Sequence, residues 1–205
     1  MNDQIQLGFA DFLTQAETDN RQHRFLRETD HLPDTMAEAV PRHRLQIRQH
    51  HAAMLAGDIE TAMQIRQEAH RMACRVNGGD RGILAGDDAP GNVLGRRCAA
   101  QPGKVPLWGQ SGTFIVTVDS LPVSIEMQGI FGICSSSCPF PGFHARVVDR
   151  ERPFISGTGF RSFLGIYAEL VPGLTPDSFV HTVIEGHISR ELKGKLRPLE
   201  DISRH

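Results

Sequence analysis

The residues with the clearest capacity for chemistry are two cysteines and a histidine on one short segment. Cys134, Cys138 and His144 form a Cys-x3-Cys pattern with the histidine six residues further on. Thiolate and imidazole ligands at such spacings are typical of zinc sites, and Cys74, Cys98 or a water could complete the set. No second cysteine pair exists, and small buried thiols are common structural residues. The sequence therefore favours a chain without a cofactor and leaves zinc as the alternative.

A glycine loop provides a second candidate site. Gly157, Gly159 and Ser162 follow a G-x-G-x-x-S pattern, and backbone amides of such a loop could hold a phosphate or carboxylate together with Arg161. With Trp108, the only tryptophan, the loop gives a predicted ligand-binding set of Trp108, Gly159, Arg161 and Ser162. A plain turn, and a tryptophan that fastens its loop to the core, are the simpler interpretations and the ones the sequence favours.

The part of the chain that precedes these candidate residues is predicted to be helical. Apolar residues at helical spacing between Phe9 and Leu26 predict a first helix within a helical region spanning residues 1–77. A second helix starts near Glu38 and ends at Gly57, which suits a left-handed C-cap, and Asp58 caps a third. The pattern predicts an antiparallel helical hairpin.

The hairpin is rich in histidine. Folding about Gly57 would place His43 opposite His70, where a metal could bridge the two helices. The Glu-x-x-His signature of such sites is missing, so a hydrogen-bonded, partly buried His70 is the favoured interpretation.

Residues 78–112 form a long connection rich in glycine and proline. No sustained periodicity is visible in it, and a connection of this length is usually functional or disordered. Its acidic residues Asp80, Asp87 and Asp88 do not match an EF-hand, and solvated turns explain them better than calcium does.

Residues 113–205 predict an antiparallel sheet followed by a C-terminal helix. The predicted strands are Thr113–Val118, Pro122–Met127, Gly129–Ile133 and Phe143–Val148. Thr175 and Pro176 mark the start of a helix whose apolar stripe must face the sheet. The fold class is therefore α+β, with 1–77 and 113–205 expected to form one compact domain.

Composition places limits on partners and location. The 205 residues carry 24 acidic and 22 basic side chains, a formal charge of −2 that argues against a general nucleic-acid binder but allows a local basic patch. No apolar run is long enough to span a membrane, and the N-terminus lacks the features of a signal peptide. We therefore expect a soluble, cytoplasmic protein with reduced cysteines.

Three segments carry a resemblance. GFRSFLG, VPGLTPDSFV and RELKGKL resemble an uncharacterised family of bacterial proteins, over roughly Leu55 to Leu196. The resemblance implies no activity, cofactor or site. Two functions remain: a binding or regulatory protein that uses a partner surface or a small-ligand pocket, with a homo-oligomer allowed, or a small enzyme with its pocket at the glycine loop, supported by zinc. The sequence slightly favours binding because it contains no complete catalytic motif.

Overall fold

A computed structural model describes the backbone of residues 3–133, 135, 137–166 and 170–200, and side chains from Thr14 onward within these ranges except Gln15. Five helices and four strands follow one another in the order α1 (Asp3–Glu28), α2 (Met36–Ala56), α3 (Ile59–Val76), α4 (Pro90–Arg97), β1 (Gly112–Val118), β2 (Leu121–Met127), β3 (Phe143–Val147), β4 (Phe160–Phe163) and α5 (Pro176–Arg190). The fold is α+β, as predicted.

The helical hairpin forms as predicted. Gly57 adopts a left-handed conformation with φ of 79° at the end of α2, and the Asp58 carboxylate accepts a hydrogen bond from the Thr61 backbone N–H at 3.0 Å. These two caps reverse the chain and lay α3 against α2. The helix α2 begins at Met36, two residues before the predicted start, because Thr35 serves as its N-cap.

The sheet is an antiparallel meander in the order β1-β2-β3-β4. The prediction of a strand at Gly129–Ile133 was wrong, because this segment forms turns, and the fourth strand is instead β4, which lies partly within the predicted glycine loop. Alternate residues of β1 and β2 are buried, which is the pattern of a sheet with one covered face.

The main core lies between this covered face and α5. Its apolar side chains come from the sheet, from α5, from the end of the hairpin and from connecting segments. They include Met54, Trp108, Ile125, Phe143 and Phe179. Thr175 is the N-cap of α5, as predicted, although its hydroxyl donates to the Ser178 hydroxyl at 2.9 Å and does not bond to a backbone N–H.

The connection 78–112 contains a helix that the sequence analysis missed. The two glycines in α4, Gly91 and Gly95, weaken its helical signal. Gly91 is required by packing, since a Cβ there would lie 2.8 Å from the Ile83 carbonyl oxygen. A Cβ on Gly95 would have no atom within 4 Å, so this face of α4 borders open space.

Candidate functional site

The strand register brings three polar residues into one row on the open face of the sheet. Glu126 of β2 pairs with His144 of β3, which pairs with Ser162 of β4. Because side chains alternate between the two faces of a strand, all three project to the same side. Two residues that the sequence analysis assigned to different sites, His144 and Ser162, are therefore neighbours.

A chain of hydrogen bonds fixes the His144 ring. The Gln128 Oε1 atom accepts the backbone N–H of Ile133 at 2.9 Å, which turns Gln128 Nε2 toward His144 Nε2 at 3.4 Å. An amide nitrogen only donates, so His144 Nε2 accepts and the neutral ring carries its proton on Nδ1. That proton is donated to Ser162 Oγ, 3.0 Å away.

His144 and Gln128 line a cleft, which we call the His144 cleft. Its volume is about 390 Å³, within the range of small-molecule sites. Helices α2 and α4 form one side and residues 126–133 form the other. The residues that matter most for its chemistry are His43, Asn92, Gly95, Gln128, Phe131 and His144.

Aromatic rings from the helical hairpin and from the turn after β2 meet at the cleft, where His43 and Phe131 both line it. The Phe131 ring lies between the imidazoles of His43 and His70, with centroid distances of 5.1 Å and 5.2 Å. Burial lowers the pKa of His43 to about 4, so its ring is neutral at pH 7. His70 Nδ1 lies 2.9 Å from the backbone oxygen of Arg66 and the side chain is half-buried, which confirms the favoured interpretation of this histidine.

A buried arginine lies on the hairpin face behind the cysteine loop, and the sequence analysis did not single it out. Arg66 Nε donates to His50 Nε2 at 2.8 Å, and its two terminal nitrogens donate to the carbonyls of Ser135, Cys138 and Pro139 at 2.6–3.1 Å. His50 Nδ1 in turn donates to the Trp108 carbonyl at 3.0 Å. The arginine thus holds Ser135, Cys138 and Pro139 against the hairpin.

Burial lowers the pKa of both Arg66 and His50. It lowers the pKa of Arg66 to about 10, an effect that the neighbouring Cys138 partly offsets. Burial, followed by the charge of Arg66, lowers the pKa of His50 to about 3. The signal in the sequence was the position of Arg66 on the buried stripe of α3, between Ala62 and Ala69.

The predicted ligand-binding residues are not brought together. Trp108 is fully buried in the core, where its Nε1 donates to the Leu174 carbonyl at 2.8 Å. Arg161 lies on the strand face opposite to Ser162 and pairs with Glu191 at 3.3 Å. Gly159 adopts a φ of 75° in a turn that packs on Val147.

The glycine loop faces a carboxylate. A Cβ on Gly157 would lie 2.7 Å from Glu200 Oε1, and the Gly157 carbonyl accepts the Glu200 backbone N–H at 2.8 Å. A carboxylate at this position repels a phosphate, which weakens the case for an anion site there.

The zinc pattern stays a prediction. Cys134 lies outside the described residues, Cys138 is buried, and both ring nitrogens of His144 are engaged as described above. Among the residues that the structure does describe, no group of three histidine, cysteine, aspartate or glutamate side chains is arranged to hold a metal ion.

A second cavity, of about 330 Å³, lies between α1 and the end of α3. Arg21, Phe25 and Cys74 are among its lining residues. Its polar side chains Gln22 and Asp80 bond to backbone groups and not to one another, whereas side chains of the His144 cleft form a connected chain, so the His144 cleft is the better candidate. None of the described helices combines the length and the apolar composition that crossing a bilayer requires.

Comparisons with known proteins give partial matches. No family model matches the chain, and no solved structure does. Two curated proteins named KlcB, both from Escherichia coli, are each 38% identical to it, over 112 and 111 residues. Each alignment covers 54% of this chain but only 27% and 23% of the relatives, so the chain spans about a quarter of their length. The name KlcB states no activity, ligand or partner, and the chain is thus similar to bacterial proteins whose names assign no function.

Proposed function

We propose that this protein binds a small polar organic molecule in the His144 cleft and acts as a binding or regulatory protein. The observation that carries the proposal is the hydrogen-bond chain from Ile133 through Gln128 and His144 to Ser162. It holds a polar wall in one orientation before any ligand arrives, which reduces the entropy cost of binding.

The cleft contains the groups that a ligand with both donors and acceptors needs. Glu126, which is half-exposed, offers a carboxylate, and Asn92 offers its amide oxygen, since its Nδ2 already donates to the Gly86 carbonyl at 2.9 Å. Arg96 lies at the rim and donates to the Asp87 carbonyl. Ile47, Met127 and Ile130 supply apolar surface beneath these groups.

The position of the His144 proton favours binding over catalysis by Ser162. A serine nucleophile needs a base that accepts its hydroxyl proton. In the arrangement described here His144 Nδ1 donates to Ser162, and its Nε2 is occupied by Gln128. Ser162 therefore orients the histidine and is not activated by it.

The test uses a substitution that fills the cleft. A fragment library of small polar heterocycles and carboxylic acids is screened by ligand-observed NMR against the native protein and Gly95→Phe. We expect Gly95→Phe to abolish the hits, because the new ring enters open space that borders the cleft.

The control is Gly186→Phe in α5. There a Cβ meets only the flexible end of Arg190, at 2.9 Å, so the substitution adds the same ring to a helix that does not line the cleft. The proposal fails if no fragment binds the native protein, or if the hits persist in Gly95→Phe.

A further inference from the structure

Two segments of the sequence contain basic residues and no acidic ones. No aspartate or glutamate occurs between Glu38 and Asp58, or between Asp88 and Asp119. In a chain with 24 acidic and 22 basic residues, this is a marked local separation of charge. The first segment contains most of α2, and the second contains α4 and β1.

The fold places the two segments side by side. Arg44 of α2 reaches the end of α4, where its Nη2 donates to the Arg97 carbonyl at 3.4 Å. Arg48 lies one turn further along α2, on the same side as Arg44, since residues four apart are neighbours on a helix surface. Together with Arg96 they form an exposed surface, which we call the basic face: Arg44, Arg48, Arg96 and Arg97.

Among the described residues, the arginines of the basic face have no ion-pair partner. Elsewhere Arg42, Arg146 and Arg161 each pair with a glutamate at 2.6–3.5 Å. Within the described ranges, no carboxylate lies within ion-pair distance of any arginine of the basic face. The negative end of the α4 dipole favours cations at Arg96 and Arg97 but does not account for Arg48 on another helix.

We infer that the basic face binds the phosphate backbone of duplex nucleic acid. Clustered like charges create a positive potential that attracts a polyanion, and duplex DNA has one negative charge for about every 1.7 Å of its axis. All four cations are arginines, whose planar groups match phosphate oxygens in pairs. The expectation drawn from net charge, which argues against general nucleic-acid binding, does not extend to this surface.

The surroundings of the basic face favour a duplex over other polyanions. Binding of single strands relies on exposed aromatic rings on which bases stack. The aromatic residues of the two acid-free segments, Trp108 and Phe114, are buried. Protein interfaces are likewise centred on buried aromatic and apolar anchors, which this surface lacks apart from the partly exposed Leu45.

The experiment measures binding of a labelled 20-base-pair DNA duplex of mixed sequence, by fluorescence anisotropy between 25 and 200 mM salt. For phosphate contacts by all four arginines of the basic face, we expect the logarithm of the association constant to fall with the logarithm of salt concentration with a slope of about −3.6. The triple variant Arg44→Gln/Arg48→Gln/Arg97→Gln should bind at least 10-fold more weakly at 50 mM salt, with a slope reduced to about −1 because Arg96 remains. Arg96 is left unchanged because it also borders the His144 cleft.

A matched control removes three charges elsewhere: Arg150→Gln/Lys193→Gln/Lys195→Gln. It should retain the native affinity and slope, and thermal melting of both variants shows that each is folded. The inference is overturned if the native protein shows no binding at 100 µM and 50 mM salt, if the two triple variants weaken binding equally, or if polyglutamate or single-stranded DNA binds more tightly than the duplex.

Discussion

The Nδ1 atom of His144 lies 3.0 Å from the Ser162 hydroxyl oxygen, across the β3–β4 ladder. The other ring nitrogen faces the amide of Gln128, whose own orientation is set by the Ile133 backbone. The turn that follows β2 and the pairing of β3 with β4 thus determine the orientation of the His144 ring at the cleft.

This arrangement predicts the tautomer of His144. For the neutral ring, ¹⁵N NMR should show a protonated Nδ1 and an unprotonated Nε2. Gln128→Glu replaces the donor with an acceptor and should move the proton to Nε2. Finding Nε2 protonated in the native protein would mean that Nδ1 accepts from Ser162, and it would favour a serine nucleophile over the binding role.

The two glycines of α4 should respond in opposite ways to alanine. Gly95→Ala is expected to raise the free energy of unfolding by about 0.5–1 kcal/mol, because alanine favours the helix and the site is open. Gly91→Ala should lower it by about 1 kcal/mol or more, since the Cβ would meet the Ile83 carbonyl. Urea denaturation measures both, and a similar change in the two variants would contradict this description of α4.

Arg66 should be one of the most sensitive positions for stability. Arg66→Met leaves His50 Nε2 and the carbonyls of Ser135, Cys138 and Pro139 without their donor in a buried place. We expect a loss of at least about 2 kcal/mol in the free energy of unfolding. Arg48→Met, on the exposed side of α2, should change it by less than about 0.5 kcal/mol. Equal effects of the two substitutions would show that the Arg66 contacts contribute little.

Stability should fall in mild acid. The pKa of His43 is lowered to about 4 and that of His50 to about 3, both from 6.5 in the unfolded chain and both mainly by burial. At pH values between 6.5 and these lower pKa values, the unfolded state binds more protons than the folded state. The stabilisation is therefore complete above pH 6.5 and is lost as the pH falls toward 4 and 3.

The expected slope in that window is about 1.4 kcal/mol per pH unit for each histidine, as an order of magnitude. Urea titrations at pH 7, 6 and 5 measure it. His43→Gln should remove a substantial part of the dependence, because one of the two most strongly affected rings is then absent. Stability that is constant from pH 7 to pH 5 would contradict the buried, neutral state of both rings.

Sequence patterns predicted the elements that have a clear period or cap. The hairpin about Gly57, the strands β1 and β2, and the start of α5 at Thr175 and Pro176 all follow from such local signals. The short helix α4 was missed because its two glycines reduce the helical signal. One of them, Gly95, has no side chain and therefore leaves space beside the cleft. The predicted strand at Gly129–Ile133 was wrong because Ile130 and Phe131 pack from turns, whereas Ile133 is exposed.

The candidate site was harder to predict because it depends on strand register. His144 and Ser162 were both singled out, but nothing in their separation along the chain shows that β3 and β4 pair them directly. The burial of Arg66 and His50 was not predicted for a different reason: polar residues of a helix are normally assigned to its surface, even where they fall on the buried stripe. Their mutual hydrogen bond, the Trp108 carbonyl that accepts from His50, and the carbonyls of Ser135, Cys138 and Pro139 that accept from Arg66 make their burial favourable.

The most direct test of the account is an NMR titration of ¹⁵N-labelled protein with the strongest fragment from the screen described above. We predict saturable shifts of the Gln128 side-chain amide and of the His144 ring nitrogens, and their disappearance in Gly95→Phe. Shifts confined to other surfaces, with Gln128 and His144 unmoved at saturation, would contradict a ligand site in the His144 cleft.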